Sequence, residues 1–382
     1  MKTSAKLLAR GLSAVVLGLF SINLVESPLN AALPEELGDY AFVMSKHSHD
    51  VTILSTSGDD VVGKVSLERM PSQIVVSENH RKLIATHAEE KSLSLVDLDM
   101  GRTTRTIDLG FRPDRLQIDD GSGVIAVSGV EAGRITMISL DQEAVLFSSK
   151  DVRHPSDLMF NRNGVWLYVA ERDAGTIAII DAQRGELIDR IILEDAGDDV
   201  VELIRTPGGK TGLALHGESG LISALDLENG VQVGRTELPG PVERGFPSAN
   251  SQYFMIPQSG GKSMSLVSSW TYRESERLPA PAGTAGVIFA MFDTIAFAIG
   301  SVSREMLSIS LLEDRDPLPL SLPGQPETGL TVDAGKKVYV ALSDTNQIAV
   351  IDAMSGELTS LIDNVGDQPW AITAAGGLGY CH

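Results

Sequence analysis

The chain has one cysteine, Cys381. A lone thiol excludes an intramolecular disulfide. It also excludes the C-x-x-C-H motif that attaches haem covalently, although the sequence ends Cys381-His382. Aromatic residues are scarce at 5%, so a core has to be built mainly from Val, Ile, Leu and Ala. Basic residues are outnumbered as well: 31 Lys and Arg against 51 Asp and Glu give a net charge of −20. Such a surface repels phosphate backbones and anionic lipid, which argues against nucleic acid or a membrane face as partner and for a cation or a basic protein. Beyond the first residues no apolar run is long enough for a transmembrane helix, so no membrane anchor is expected. Also missing, in any suitable context, are a G-x-S-x-G elbow, an H-E-x-x-H helix, a Walker loop and a dinucleotide glycine fingerprint. The expectation is a binding or accessory protein in preference to an enzyme.

What is present begins with a targeting signal. Lys2, Lys6 and Arg10 precede the apolar run Gly11–Phe20, and Leu29-Asn30-Ala31 offers a small-residue exit. Residues 1–31 therefore read as a signal peptide and 32–382 as one exported, periplasmic domain. Removing the +2 carried by Lys2, Lys6, Arg10 and Glu26 takes the mature chain from −20 to near −22.

That domain repeats a unit of four short strands, best seen from Pro155 to Leu193. Strands like YVAE start near Tyr40, Leu83, Val124, Val165, Thr211, Tyr253, Ile295 and Val338. A following strand in most units alternates apolar and small residues, as in TIAIID from Thr176 and QIAVID from Gln347, the period expected of strands with two packed faces. This spacing predicts an all-β fold, a β-propeller of eight blades, with seven as the alternative because the unit between Gly240 and Asp293 is irregular. A last strand, Pro369–Ala374, has no unit of its own and is expected to close the ring against the N-terminal blade.

The segments VWLYVAERDAGTIAIIDAQRGELIDRI and KKVYVALSDTNQIAVIDAMSGELTSLI resemble the YVTN-type repeats of exported bacterial propellers. The broader likeness is to quinoprotein amine dehydrogenase-like propellers and to the haem-binding propeller of dissimilatory cytochrome nitrite reductase. The resemblance implies fold and export and leaves the ligand open.

Loop positions place His47, His49, His87 and His216, with His154, on one face. His87, Glu171, His216 and Gln258 hold equivalent positions in their units and are expected to meet at the channel mouth. The reading is a metal or tetrapyrrole site, with Asp50 or Glu171 completing the shell. The cofactor itself is unknown: zinc, copper and a haem-type tetrapyrrole all fit. Arg69, Arg112, Arg153, Arg244 and Arg304 fall on the same face, where guanidinium groups would hold ligand carboxylates. Against both readings stands the plain one, in which polar loops carry histidines by chance and arginines pair with local acids. The expected partner is a small ligand at the channel mouth or another periplasmic protein. A subunit of an amine dehydrogenase-like oxidoreductase and a metal-dependent lactonase-like hydrolase are the alternatives. Cys381 and His382, near His80, form a further candidate metal pair.

Overall fold

The computed structural model describes residues 36–194, 199–313 and 315–376; residues 1–31, expected to be a signal peptide, and the Cys381-His382 pair lie outside them. Eight four-stranded antiparallel sheets form a ring, and among the described residues the helical elements are two single 3-10 turns, Leu37–Asp39 and Asp333–Gly335. Blades are numbered here in ring order. Their innermost strands are Pro369–Ala374 for blade 1, then Gln73–Ser77, Arg115–Asp119, Pro155–Phe160, Val200–Arg205, Phe246–Pro247, Thr284–Ala290 and Pro326–Val332 for blades 2 to 8.

Eight blades are present, and the irregular unit is a full sheet whose innermost strand has shrunk to Phe246–Pro247. The expected closure is present too: Pro369–Ala374 pairs antiparallel with Tyr40–Ser45. Joining the last strand to the first blade completes that blade as a four-stranded sheet and ties the two ends of the ring together. Blade 8 adds a second tie. Lys337 Nζ stands 2.8 Å from both Asp59 carboxylate oxygens, and the Tyr339 hydroxyl donates to Asp59 at 2.5 Å.

Between each pair of neighbouring blades lies one apolar cluster, eight in all, made almost wholly of aliphatic residues. Both faces of each middle strand are buried, which explains why these strands read as nearly continuous apolar runs. Each fully buried Leu, Ile or Val contributes about 1.5–3 kcal/mol, so the ring is held chiefly by these interfaces. Trp166 behaves as a blade-packing residue, edge-on to Tyr168 with ring centroids 6.5 Å apart. In blades 1 to 6 and 8 the outermost strand slips register by one residue against its neighbour. A bulge repeated at that point increases the local twist of each blade.

Candidate functional site

Turns between first and second strands, and between third and fourth, share one face of the ring, here the lower one. The other loops make the upper face, and innermost strands run downward from it. One residue near the upper end of each innermost strand faces the neighbouring blade, and in blades 2 to 5 that residue is polar. Gln73 Nε2 donates to the Asp114 carbonyl at 3.1 Å. Arg115 Nε lies 3.3 Å from Asp157 Oδ1, and Asp157 Oδ2 accepts the Leu203 N–H at 2.7 Å. Glu202 Oε2 accepts the Gly245 N–H at 2.6 Å, and Arg244 Nη1 reaches the Ala285 carbonyl at 3.5 Å. A polar belt therefore stitches blades 2 to 7 through their innermost strands. Gly245 belongs to it for steric reasons, since a Cβ there would sit 2.4 Å from Ile204 Cδ1.

Two carboxylates of this belt are nearly removed from water, Asp157 and Glu202. Burial pushes the Asp157 carboxyl up to about 6, against the pull of Arg115 and the Leu203 N–H. Burial, reinforced by the Asp157 charge, holds Glu202 well above the usual carboxylate range. Arg244 is shifted down by burial, with the Glu202 charge opposing.

The other half of the channel wall is built differently. Blades 7, 8 and 1 present Gly286, Gly329 and Ala371 there, and small residues leave space. A cavity of about 320 Å³ is lined by Phe246, Val287, Ile288, Leu330 and Ile372, with Arg244, Ala285 and Thr328 on its upper rim. Those three residues also line a second cavity of about 360 Å³, bounded by Gln258, Ser301, Glu327 and Trp370. An apolar chamber and a polar one thus meet at a guanidinium and at Thr328. The Thr328 hydroxyl oxygen is buried and has no hydrogen-bond partner within the protein.

The residues expected to converge on the channel mouth do not do so. His87, Glu171, His216 and Gln258 do occupy equivalent places, the last or next position of each second strand, but that place lies one strand outward from the channel. There the side chain ties down the third strand. His87 Nδ1 donates to the Met70 carbonyl at 3.0 Å, which leaves Nε2 to accept from the Ser94 hydroxyl at 2.8 Å. Both ring nitrogens are thereby used, and burial lowers the His87 pKa. His216 Nε2 meets Ser223 Oγ at 3.0 Å, and Gln258 Nε2 meets Ser265 Oγ at 2.9 Å. Glu171 accepts from Arg190, Thr176 and the Arg153 N–H.

The remaining candidates are dispersed. His47 and His49 are exposed and Asp50 is half-buried at the start of its strand. His154 is exposed and pairs with Asp173 at 2.8 Å. Among the described residues, no three His, Cys, Asp or Glu side chains gather where they could hold a metal ion. Of the arginines, Arg69 donates to Ser92, Arg112 stands exposed 3.9 Å from Glu89, Arg153 is exposed, and Arg304 pairs with Asp344. Arg244 alone of the five lines the channel cavities.

Alignment on the central strands hides the polar belt, yet a signal exists in the sequence. Gln73, Arg115 and Asp157 each stand two residues after the proline that introduces their strand, in PSQ, PDR and PSD. Alignment on that proline, in place of the central strands, exposes the belt in blades 2 to 4.

No protein-family profile matches the chain, and no curated protein does. Solved structures do. A dihydro-haem d1 dehydrogenase, NirN, in complex with DHE superposes with a TM-score of 0.77 at 14% identity, over 93% of this chain and 79% of that one. Apo AztD from Citrobacter koseri gives 0.68 at 16% identity, over 88% and 97%. Hydrazine synthase from Kuenenia stuttgartiensis gives 0.55 at 15% identity, over 74% and 96%. Identities this low establish a shared propeller fold.

Proposed function

We propose that the chain is an exported, non-enzymatic propeller that holds a planar, largely apolar molecule bearing carboxylates, of the haem-type tetrapyrrole class, in its central channel. One observation carries the reading: Arg244 lines both an apolar and a polar cavity, at the place where the two meet. A ligand laid across that junction would bury its ring against Val287, Ile288 and Leu330 and direct a carboxylate to the guanidinium. Both cavities have the size usual for small-molecule pockets. The likeness to a dihydro-haem d1 dehydrogenase bearing its bound group is consistent with this class of ligand. Export rests on the Lys/Arg-flanked apolar run at residues 2–20.

The residues fit the periphery of a tetrapyrrole better than its metal. None of the described residues lining either cavity is His, Cys or Met, so this chain offers no axial ligand there. When bound, such a group would supply light absorption and redox capacity. The protein's part is to bind and orient it, with Arg244 at a polar edge and aliphatic side chains against the ring.

Titration with metal-free protoporphyrin IX, followed by absorption and fluorescence, tests the reading. Saturable one-to-one binding is expected, weakened at least tenfold by Arg244→Ala for the free acid but not for the dimethyl ester. Gly286→Phe is expected to block both, because a Cβ there has no neighbour nearer than 3.7 Å and the side chain would extend into the cavity. No binding, or binding indifferent to both substitutions, would overturn the proposal.

A further inference from the structure

The second residue after the third strand sits at the tip of an exposed turn on the lower face in every blade. In blades 1 to 5 it is Ser57, Asp99, Asp141, Gln183 and Glu228; in blades 6 to 8 it is Trp270, Leu312 and Met354. One structural position is therefore polar in five consecutive blades and large and apolar in the next three. The apolar three are exposed to 81%, 75% and 70%. Their side chains do not make the turns: Ser268 Oγ accepts the Trp270 and Thr271 N–H groups, and Asp352 Oδ1 accepts those of Met354 and Ser355. Turn tips favour polar residues, and single exposed apolar groups are ordinary, but three consecutive ones at a repeated position are not scattered.

A fourth apolar tip lies in the same sector. Phe292, 84% exposed, occupies the inner turn of blade 7. Met291, Phe292 and Asp293 all have left-handed backbone, with φ of 49°, 56° and 61°. Non-glycine residues pay about 1–2 kcal/mol each for that conformation. Asp293 anchors the turn by accepting the Ala249 and Asn250 N–H groups of blade 6, and the Met291 N–H donates to the Gly335 carbonyl of blade 8. Phe292 is thus held outward by bonds to both neighbouring blades.

We propose that Trp270, Phe292, Leu312 and Met354 form a docking surface on the lower face for a partner protein that presents an apolar patch rimmed by Lys and Arg. Charge selects this occupant. The same ring of turn tips continues into Asp99, Asp141 and Glu228, and Asp316 and Glu357 are exposed beside the apolar tips. Of the cations near the tips, Arg315 and Lys336 stand 3.9 Å and 3.8 Å from Glu313 and Asp333, and Arg273, exposed in the Trp270 turn, is outnumbered by the acidic groups around it. At a net charge of −20, anionic lipid or a second copy of the chain would meet like charge at this rim, whereas a basic partner would be steered to it.

The test uses the full mature chain and three labelled synthetic 18-residue helices: Leu on one face with Lys on the other, the same with Glu for Lys, and the same with Ser for Leu. In anisotropy titrations the Leu/Lys helix is expected to bind at least tenfold more tightly than either of the others. The triple variant Trp270→Gln, Leu312→Gln, Met354→Gln, which places at each tip a residue type already found there in blade 4, is expected to lose that tenfold. Equal affinity for native and triple-variant protein would overturn the proposal. So would sedimentation of the native chain, but not the variant, with phosphatidylcholine vesicles, which would point to lipid. Concentration-dependent dimerisation abolished in the variant, without helix binding, would point instead to a second copy.

Discussion

Arg115 Nε and Asp157 Oδ1 lie 3.3 Å apart across the seam between blades 3 and 4, the guanidinium side chain 41% exposed and the carboxylate side chain 5%. The arginine therefore keeps contact with channel water while its partner does not. In a pair so placed, desolvation falls mainly on the carboxylate.

The first prediction follows from this asymmetry. The folded-state pKa of Asp157 is raised to about 6, so between roughly pH 4 and pH 6 the folded chain binds a proton that the unfolded chain has released. Stability must fall as pH rises through that window, by about 3 kcal/mol from this group. Asp157→Asn keeps an acceptor for the Leu203 N–H and removes the titration. Melting temperatures measured from pH 4 to 7 should decline less steeply for the variant than for the native chain. Parallel curves would show that Asp157 is not the titrating group.

His87 gives a second. Blade 6 performs the same strand-tying with Gln258, so His87→Gln should cost under about 1 kcal/mol, while His87→Ala strands the Ser94 hydroxyl and the Met70 carbonyl at about 1–3 kcal/mol. Burial holds the folded His87 pKa below 6.5, so native stability contributed by this group is lost as pH falls below that value. In His87→Gln that acid-side loss should shrink. Chemical denaturation at pH 7 and pH 5.5 measures both effects.

How much of this was legible in the sequence is clearest at equivalent positions. The strands announced themselves because middle strands such as Trp166–Glu171 and Thr176–Asp181 are buried on both faces and repeat. The closing strand was legible because Pro369–Ala374 had no unit to lead. The site was harder. Equivalence correctly grouped His87, Glu171, His216 and Gln258, but repeat symmetry fixes only that such residues share a setting. It does not say whether the setting faces the channel or the neighbouring strand. The channel belt went unread because Gln73, Arg115, Asp157 and Glu202 differ in chemistry, and each is recognisable only by its proline offset or its partner in the next blade.

The ring's closure supplies a third prediction. Tyr339 and Tyr168 are equivalent residues, and each hydroxyl bonds to the next blade: Tyr339 to Asp59 at 2.5 Å, Tyr168 to the Leu227 carbonyl at 2.8 Å. Replacing either by Phe removes one bond at about 1 kcal/mol for a neutral acceptor and about 1.5–3 for a charged one. Tyr339→Phe should therefore be the more costly, and because it weakens the seam between blade 8 and blade 1 it should also speed unfolding more. Urea unfolding rates of the two variants make the comparison; equal effects would mean that the seam carries no special share of the ring's stability.

Glu171 carries the last. The carboxylate is wholly buried, and burial alone would raise its pKa. Arg190, Thr176 and the Arg153 N–H together outweigh that and lower it, so this stabilisation persists at neutral pH and is lost only as pH falls through the folded value, below the usual 4.5. Glu171→Ala leaves Arg190 partly exposed and still bonded to the Asp151 carbonyl, so it should cost about 1–3 kcal/mol. Arg190→Ala should cost more, about 3–5 kcal/mol, since it leaves a buried charge, whereas the double replacement by leucines should recover most of the loss. A role as ligand to a metal or cofactor predicts otherwise: Arg190→Ala would free the carboxylate, and added zinc or copper would raise the melting temperature of that variant above the native value. Calorimetry of the three variants with and without metal separates the two, and the four hydrogen bonds already made by Glu171 favour the structural outcome.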